Sequence, residues 1–400
     1  MAQRKIVALV VLLSSSWLCC LAATPAYADD EVTILKHLKK ISTLASTVPS
    51  NGDVNPYGVF EVPRTTGDLT KGDILVSNFN NIMNQQGTGT TIVEVAPNGM
   101  VTQFAQISAS AVQNDCPGGV RLTTALVVLR SGWVIVGSLP TSDGTSTTAQ
   151  PGCLIVLDNM GNVAETFFGS LINGPWDMNV EDGDHKAKLY VTNVLSGTVM
   201  PGANAMVPGT VVNTATVLRI DLNVSEKNMP SIESMTVIGS GFSARTDPGA
   251  LVIGPTGVAL SPECEADDLD DCATHNEAGE RALYVADTLN NRIAVIPDAS
   301  KRTDSAGTGF TLSSGGSLNG PLGLIVAPNG HILTVNGDDG FITEITPHGH
   351  QIAKTLLDSS VAPGTPPPAP GSGALFGLIL DLDLGIVFVD DATNTLNVLQ

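Results

Sequence analysis

Short apolar runs that stop on a polar residue recur along this chain, and the recurrence defines its architecture. Residues 283–286 and 292–296 are apolar stretches on either side of a turn that holds Asp287, Asn290 and Asn291. Such side chains favour turns because they bond to nearby main-chain groups. Residues 386–399 line up with this unit without a gap: Asp390 falls on Asp287, Asn394 on Asn291 and Leu396 on Ile293. The same run can be followed through residues 73–78, 133–138, 188–193, 282–287, 331–336 and 385–390, each closed by Asn, Ser or Asp. Upstream of most lies a segment opened by Gly or Pro, such as Gly-Pro-Thr-Gly-Val from Gly254 and Gly-Pro-Leu-Gly-Leu from Gly320. Downstream come a third run and a tight turn, as in Thr-Ile-Val-Glu-Val-Ala-Pro-Asn-Gly from Thr91.

Six such units at a spacing of roughly 50 to 60 residues predict an all-β chain folded as a six-bladed β-propeller of four-stranded blades. The last unit stops after its third strand, at Leu399. Its fourth strand is expected from residues 41–48, which resemble the outer-strand stretch 351–363. The N-terminal segment would then pair with the C-terminal blade and remove an open edge. A helical apolar period shows only around residues 32–44. Insertions are expected at residues 141–150, 199–214, 263–280 and 362–372, on the faces where partners approach.

The stretch Tyr-Val-Ala-Asp-Thr-Leu-Asn-Asn-Arg-Ile at residues 284–293 resembles the core of an NHL repeat, the blade unit of a family of β-propellers. The resemblance implies one propeller domain over residues 29–400. It says little about activity, because propellers host lyases, lactonases, ligand sensors and protein-binding platforms alike. Propeller lyases of this kind hold zinc with several channel histidines, and no such set is visible. Sugar-lactonase propellers use a Glu, an Asn and an Asp around a divalent metal; Asn and Asp are available here, but that family's Glu-Gly-Pro opening is not.

Residues 1–28 read as a secretory signal: Arg4 and Lys5, an apolar core at residues 6–13, and a small-x-small site at Ala26-Tyr27-Ala28. The expected location is therefore periplasmic or secreted. Four cysteines remain after cleavage, and Cys116–Cys153 and Cys264–Cys272 are the expected disulfides. The chain holds 39 acidic and 19 basic residues, a formal charge of −20. Such a surface repels phosphate backbones and anionic lipid, so neither nucleic acid nor membrane is expected as a partner. An Asn-Val-Ser sequon sits at Asn223.

Four features carry candidate chemistry. A ring of strand-end residues (Asn78, Ser138, Asn193, Asp287, Asn336 and Asp390) would present oxygen ligands near one face of the channel, suited to Ca²⁺ or another divalent cation. Local turn capping is the competing account. Asp177 stands where the other innermost strands carry Gly58, Gly257, Gly323 and Gly377, and a departure from the repeat is a functional signal. The acidic loop at residues 263–272 lacks EF-hand spacing, and the six histidines read as surface residues. The main expectation is a monomeric binding or scaffold propeller for a protein, glycan or small-molecule ligand. The alternative is a metal-dependent hydrolase or lyase at the channel, with Asp177, Asp287 and Asp390 as catalytic candidates.

Overall fold

The computed structural model describes residues 33–112, 116, 119, 122–197, 209–262, 281–364 and 366–400. These form six antiparallel sheets arranged as a six-bladed β-propeller. Blade one is Val54–Glu61, Ile74–Asn80, Thr91–Val95 and Val101–Gln106; blade two is Leu122–Val128, Val134–Ser138, Cys153–Leu157 and Val163–Phe167. Blade four is Pro255–Leu260, Leu283–Asp287, Arg292–Ile296 and Phe310–Ser314; blade five is Pro321–Val326, Ile332–Asn336, Phe341–Ile345 and Gln351–Leu356.

Blade three is larger. Its strands are Pro175–Asp182, Lys186–Asn193, Val212–Asn223 and Ser231–Asp247, and the last outruns its partner and picks up a fifth strand, Leu251–Ile253. Part of the insertion read at residues 199–214 is thus sheet, since Val212 already pairs with Ala244. Residues 198–208 lie outside the described residues, as do the signal segment 1–28 and the acidic loop with Cys264 and Cys272.

The second and third strands read as unbroken apolar runs because each sheet is covered on both faces by its neighbours. Ile74, Val76 and Val93 of blade one pack with Val387, Val389 and Leu396 of blade six. Leu75 and Ile92, on the other face of blade one, meet Val134, Val136 and Ile155 of blade two. Strand side chains alternate between faces, so a sheet buried on both sides needs apolar residues at successive positions.

Ring closure follows the sequence reading. Blade six is Leu375–Asp381, Gly385–Asp390 and Thr395–Leu399, and its outer strand is the N-terminal Ile41–Ser46, with Ile41 opposite Leu399. The main-chain N–H groups of Lys39 and Lys40 donate to Gln400 O at 2.9 and 2.8 Å. The helical period around residues 32–44 yields a single turn, Ile34–His37. Sheet pairing takes over from Ile41, because completing a ladder satisfies more main-chain groups than extending a short helix.

That one turn is fastened from blade five. Glu344, fully buried, accepts from the main-chain N–H of Ile34 at 2.8 Å and of Leu35 at 2.9 Å. His331 Nδ1 lies 2.7 Å from the same carboxyl. The expectation that the histidines are surface residues is therefore corrected for His331, which is 4% exposed. It opens a buried second strand, and a carboxylate across the sheet supplies its polar partner.

Cys116 and Cys153 are bonded, and the bridge closes a sequence separation of 37. Replacing both with Ala is expected to cost about 3–4 kcal/mol, mainly by freeing the unfolded chain, and a denaturant titration measures it. Among the described residues no helix is long and apolar enough to cross a membrane.

Candidate functional site

The innermost strands line a channel that widens at both ends. A cavity of about 500 Å³ opens on the face where these strands begin. A central space of about 90 Å³ follows, and a cavity of about 460 Å³ lies at the far end, beside Phe60, Glu61 and Arg281. Tyr57, Trp176, Thr256, Leu322 and Phe376 line both the mouth cavity and the central space, forming a waist between them.

The waist is aromatic. Tyr57 stacks on Phe376 with ring centroids 4.0 Å apart, and Trp176 meets Tyr57 edge-on at 5.5 Å and Phe79 at 5.8 Å. Three of these rings come from innermost strands of different blades, and each such contact adds about 0.5–1.5 kcal/mol beyond area burial. Two polar atoms at this floor are orphaned. Asn55 Oδ1 and Trp176 Nε1 are buried without a hydrogen-bond partner. The Trp176 side chain favours the ionised form of the Tyr57 phenol. The phenol is nonetheless raised well above its usual value, by burial first and then by the charge of Asp177.

Charged groups surround the mouth. Asp391 lines it and is pushed up to about 7, by burial first and then by the neighbouring Asp390. Asp338 is also raised, by burial and by Asp339, with Arg245 opposing. Arg245 donates through Nε to Asp247 Oδ2 at 3.0 Å, so its charge is matched locally.

Asp177 occupies the central space. At Gly257, Gly323 and Gly377 an added Cβ would lie 2.2, 2.0 and 2.2 Å from the carbonyl oxygens of Leu322, Phe376 and Tyr57. Glycine is what lets these innermost strands approach one another. Blade two has no glycine in its innermost strand, and in blade three Asp177 takes the place, its Oδ2 accepting from the Val258 N–H of blade four at 3.2 Å. Burial drives this carboxyl up to about 7, since its remaining exposure is to the narrow channel. An acid whose folded pKa is raised loses stabilisation as pH climbs from the unfolded value, about 3.9, through 7. Asp177→Asn keeps an acceptor for Val258. Its melting temperature is expected to match the parent near pH 4 and exceed it near pH 8, and thermal scans across that range test the difference.

The six strand-end residues are all engaged within the protein, but only Asp287, Asn336 and Asp390 bond within their own turns. Asp287 accepts from Asn290 Nδ2 at 2.9 Å and from Arg292 Nε at 2.8 Å. Asn193 Oδ1 accepts from the Asn173 N–H, Asn336 Oδ1 from the Asn319 N–H and Asp390 Oδ1 from the Thr393 N–H. Asn78 donates to Thr47 O and Ser138 to Gly119 O. None of the six lines the mouth cavity, whereas Phe79, Thr288, Gly337 and Asp391 do, each immediately after a ring position. Three of these four lie just past the end of their strand, where the chain turns at the mouth, so the cavity-lining set is displaced by one residue. That displacement was the available signal for Asp391. Asn55, Tyr57 and Trp176 belong to innermost strands, Asn-Pro-Tyr-Gly-Val from Asn55 and Gly-Pro-Trp-Asp-Met from Gly174 being further copies of the Gly- or Pro-opened segment, while Arg245 and Asp338 carry no sequence mark. Among the described residues no group of three or more His, Cys, Asp or Glu side chains is placed to hold a metal ion.

No protein-family model and no curated protein matches the chain in sequence. The NHL likeness thus stays with the residues that carry it, while the six-bladed architecture stands on the sheets. Solved structures similar to this one include a gluconolactonase from Xanthomonas campestris, at 12% identity and TM-score 0.49 over 90% of this chain and 88% of that one. A calcium-binding regucalcin from Agrobacterium tumefaciens follows at 12% and 0.47, over 90% and 93%. A virginiamycin B lyase from Staphylococcus aureus stands at 13% and 0.43, over 90% and 98%. Likeness of this degree assigns no activity.

Proposed function

We propose that this protein is a six-bladed propeller that binds a small molecule in the mouth cavity of its channel. The observation that carries the reading is that cavity itself. It measures about 500 Å³, within the range of small-molecule sites, and combines an aromatic floor with a few convergent polar groups and two orphaned polar atoms. The Cys116–Cys153 bridge supports the exported location read from residues 1–28. A small ligand suits the recess better than a protein or glycan chain, which would use the flatter loop faces. Ala250, exposed on the rim, offers a way to fill the cavity without disturbing the blades. Ala250→Trp is expected to abolish the thermal shift given by fragment hits while keeping the parent's own melting temperature. Hits that bind the variant unchanged would move the site elsewhere.

The second reading is a hydrolase or lyase in the same channel, of the sugar-lactonase kind, and a specific observation favours it. Asp391 and Asp177 both sit at about 7, where a carboxyl can give and take protons near neutrality. Asp391→Asn is then expected to lower kcat at least about 100-fold with little change in KM on a lactone or ester substrate. The divalent cation expected from the sequence belongs to this reading. Stripping the protein with EDTA and restoring Ca²⁺ separates the two: turnover that returns only with Ca²⁺ supports the metal-dependent form, and a melting temperature and ligand affinity indifferent to both treatments support the binding module.

A further inference from the structure

The mouth cavity holds more acid than base, and its unsatisfied acceptor points to the kind of ligand it takes. Asp391 and Asp338 line it as uncommitted carboxyls, while the one basic side chain among its lining residues, Arg245, is already paired with Asp247. Asn55 Oδ1, in a residue only 6% exposed, needs a donor and finds none in the protein. Beside these lie the Tyr57, Trp176 and Phe376 rings. Ring faces attract cations, and a carboxylate next to them adds a direct partner. An anion would instead face two carboxylates and an acceptor with no donor.

We infer that the ligand of this site is an organic cation, a protonated amine on a compact apolar or aromatic body. The body lies on the floor formed by Tyr57, Trp176 and Phe376. The ammonium donates to the Asp391 carboxylate and to Asn55 Oδ1. The Trp176 N–H remains for an acceptor atom on the body. The chain's formal charge of −20 favours the approach of such a ligand over that of an anion. This inference rests on the small-molecule reading above and narrows it.

Three probes of one shape test it: benzylammonium, benzyl alcohol and benzoate, titrated by calorimetry and followed through tryptophan fluorescence. Trp133 serves as an internal reference, because its Nε1 bonds to Ser225 O and it is not among this cavity's lining residues. Benzylammonium is expected to bind at least about tenfold more tightly than benzyl alcohol, and benzoate not at all. Asp391→Asn, which keeps the shape, should erase the preference for benzylammonium and leave benzyl alcohol unchanged. The preference should also shrink from about pH 8 to about pH 6 as Asp391 takes up a proton. The charges acting on that carboxyl are those of Asp390 beside it and, further out, Asp358, which bears on Asp390; Tyr57 faces it as a neutral phenol. Equal binding of alcohol and ammonium, or tighter binding of benzoate, overturns the inference while the small-molecule site stands. If no probe binds and Ala250→Trp changes no fragment hit, both fall together.

Discussion

A chain beginning at Pro49, without residues 33–48, is expected to be insoluble or to melt at least about 15 °C below the intact protein. The lost segment carries the outer strand Ile41–Ser46, five register pairs with Thr395–Leu399, and the buried Leu35 and Ala45. Without it, blade six keeps three strands and leaves the edge of Thr395–Leu399 bare for pairing with another chain. Leu35 also belongs to the cluster that joins blades five and six, so the seam loses packing as well as hydrogen bonds. Asn78, which donates to Thr47 O, loses that partner too. Together these losses exceed about 5 kcal/mol, which is comparable with the whole stability of an ordinary domain. A circular permutant that carries residues 33–48 after Gln400, through a flexible linker, should recover solubility and melting temperature. A truncated chain that stays monomeric and melts with the parent would show that the ring does not depend on its clasp.

Glu344→Ala is expected to lower stability by about 3–5 kcal/mol, a large loss for one side chain. The carboxyl is fully buried and serves three groups at once: the Ile34 and Leu35 N–H groups and His331 Nδ1. Removing it strands polar groups that cannot reach water, and an unpaired buried donor costs more than its hydrogen bond contributed. Glu344→Gln, which retains one acceptor oxygen, should fall between parent and Ala. Urea midpoints measure the size of the effect. Hydrogen exchange at Ile34 and Leu35 distinguishes a loosened clasp from general destabilisation, because those two amides should lose protection first. Midpoints unchanged in both variants would remove Glu344 from the closure.

Both predictions concern the seam, and the seam was half legible in the sequence. A last unit that stops after its third strand implies a missing strand, and the likeness of residues 41–48 to residues 351–363 names its source. The latch was not legible. Glu344 and Ile34 are separated by 310 positions, and nothing in a third-strand Glu distinguishes it from a solvent-facing one. His331 was misread for the same reason: beside a turn it has the sequence context of a surface residue, and only the facing strand buries it.

The site divides along the same line. Asp177 stood out because it breaks a glycine pattern, and the structure places it in the channel, on the Val258 N–H. The strand-end ring stood out because it repeats, and its members are bonded within the protein, some in their own turns and others to distant segments, while the residues that follow four of them line the cavity. A repeated polar residue at a strand end serves the build of every blade. A binding residue, by contrast, needs to occur only once.

The sequence by itself determined the number of blades, the order of strands within them and the way the ends meet. Those follow from apolar runs buried on both faces and from turn chemistry, which act over a few residues and recur in each unit. Tertiary structure alone decided which side chains share the channel mouth. Asn55, Trp176, Arg245, Asp338 and Asp391 come from four blades, and their convergence depends on how sheets rotate about the axis. A one-residue step past the end of a strand brings the chain to the channel mouth, and local sequence preferences barely register that step.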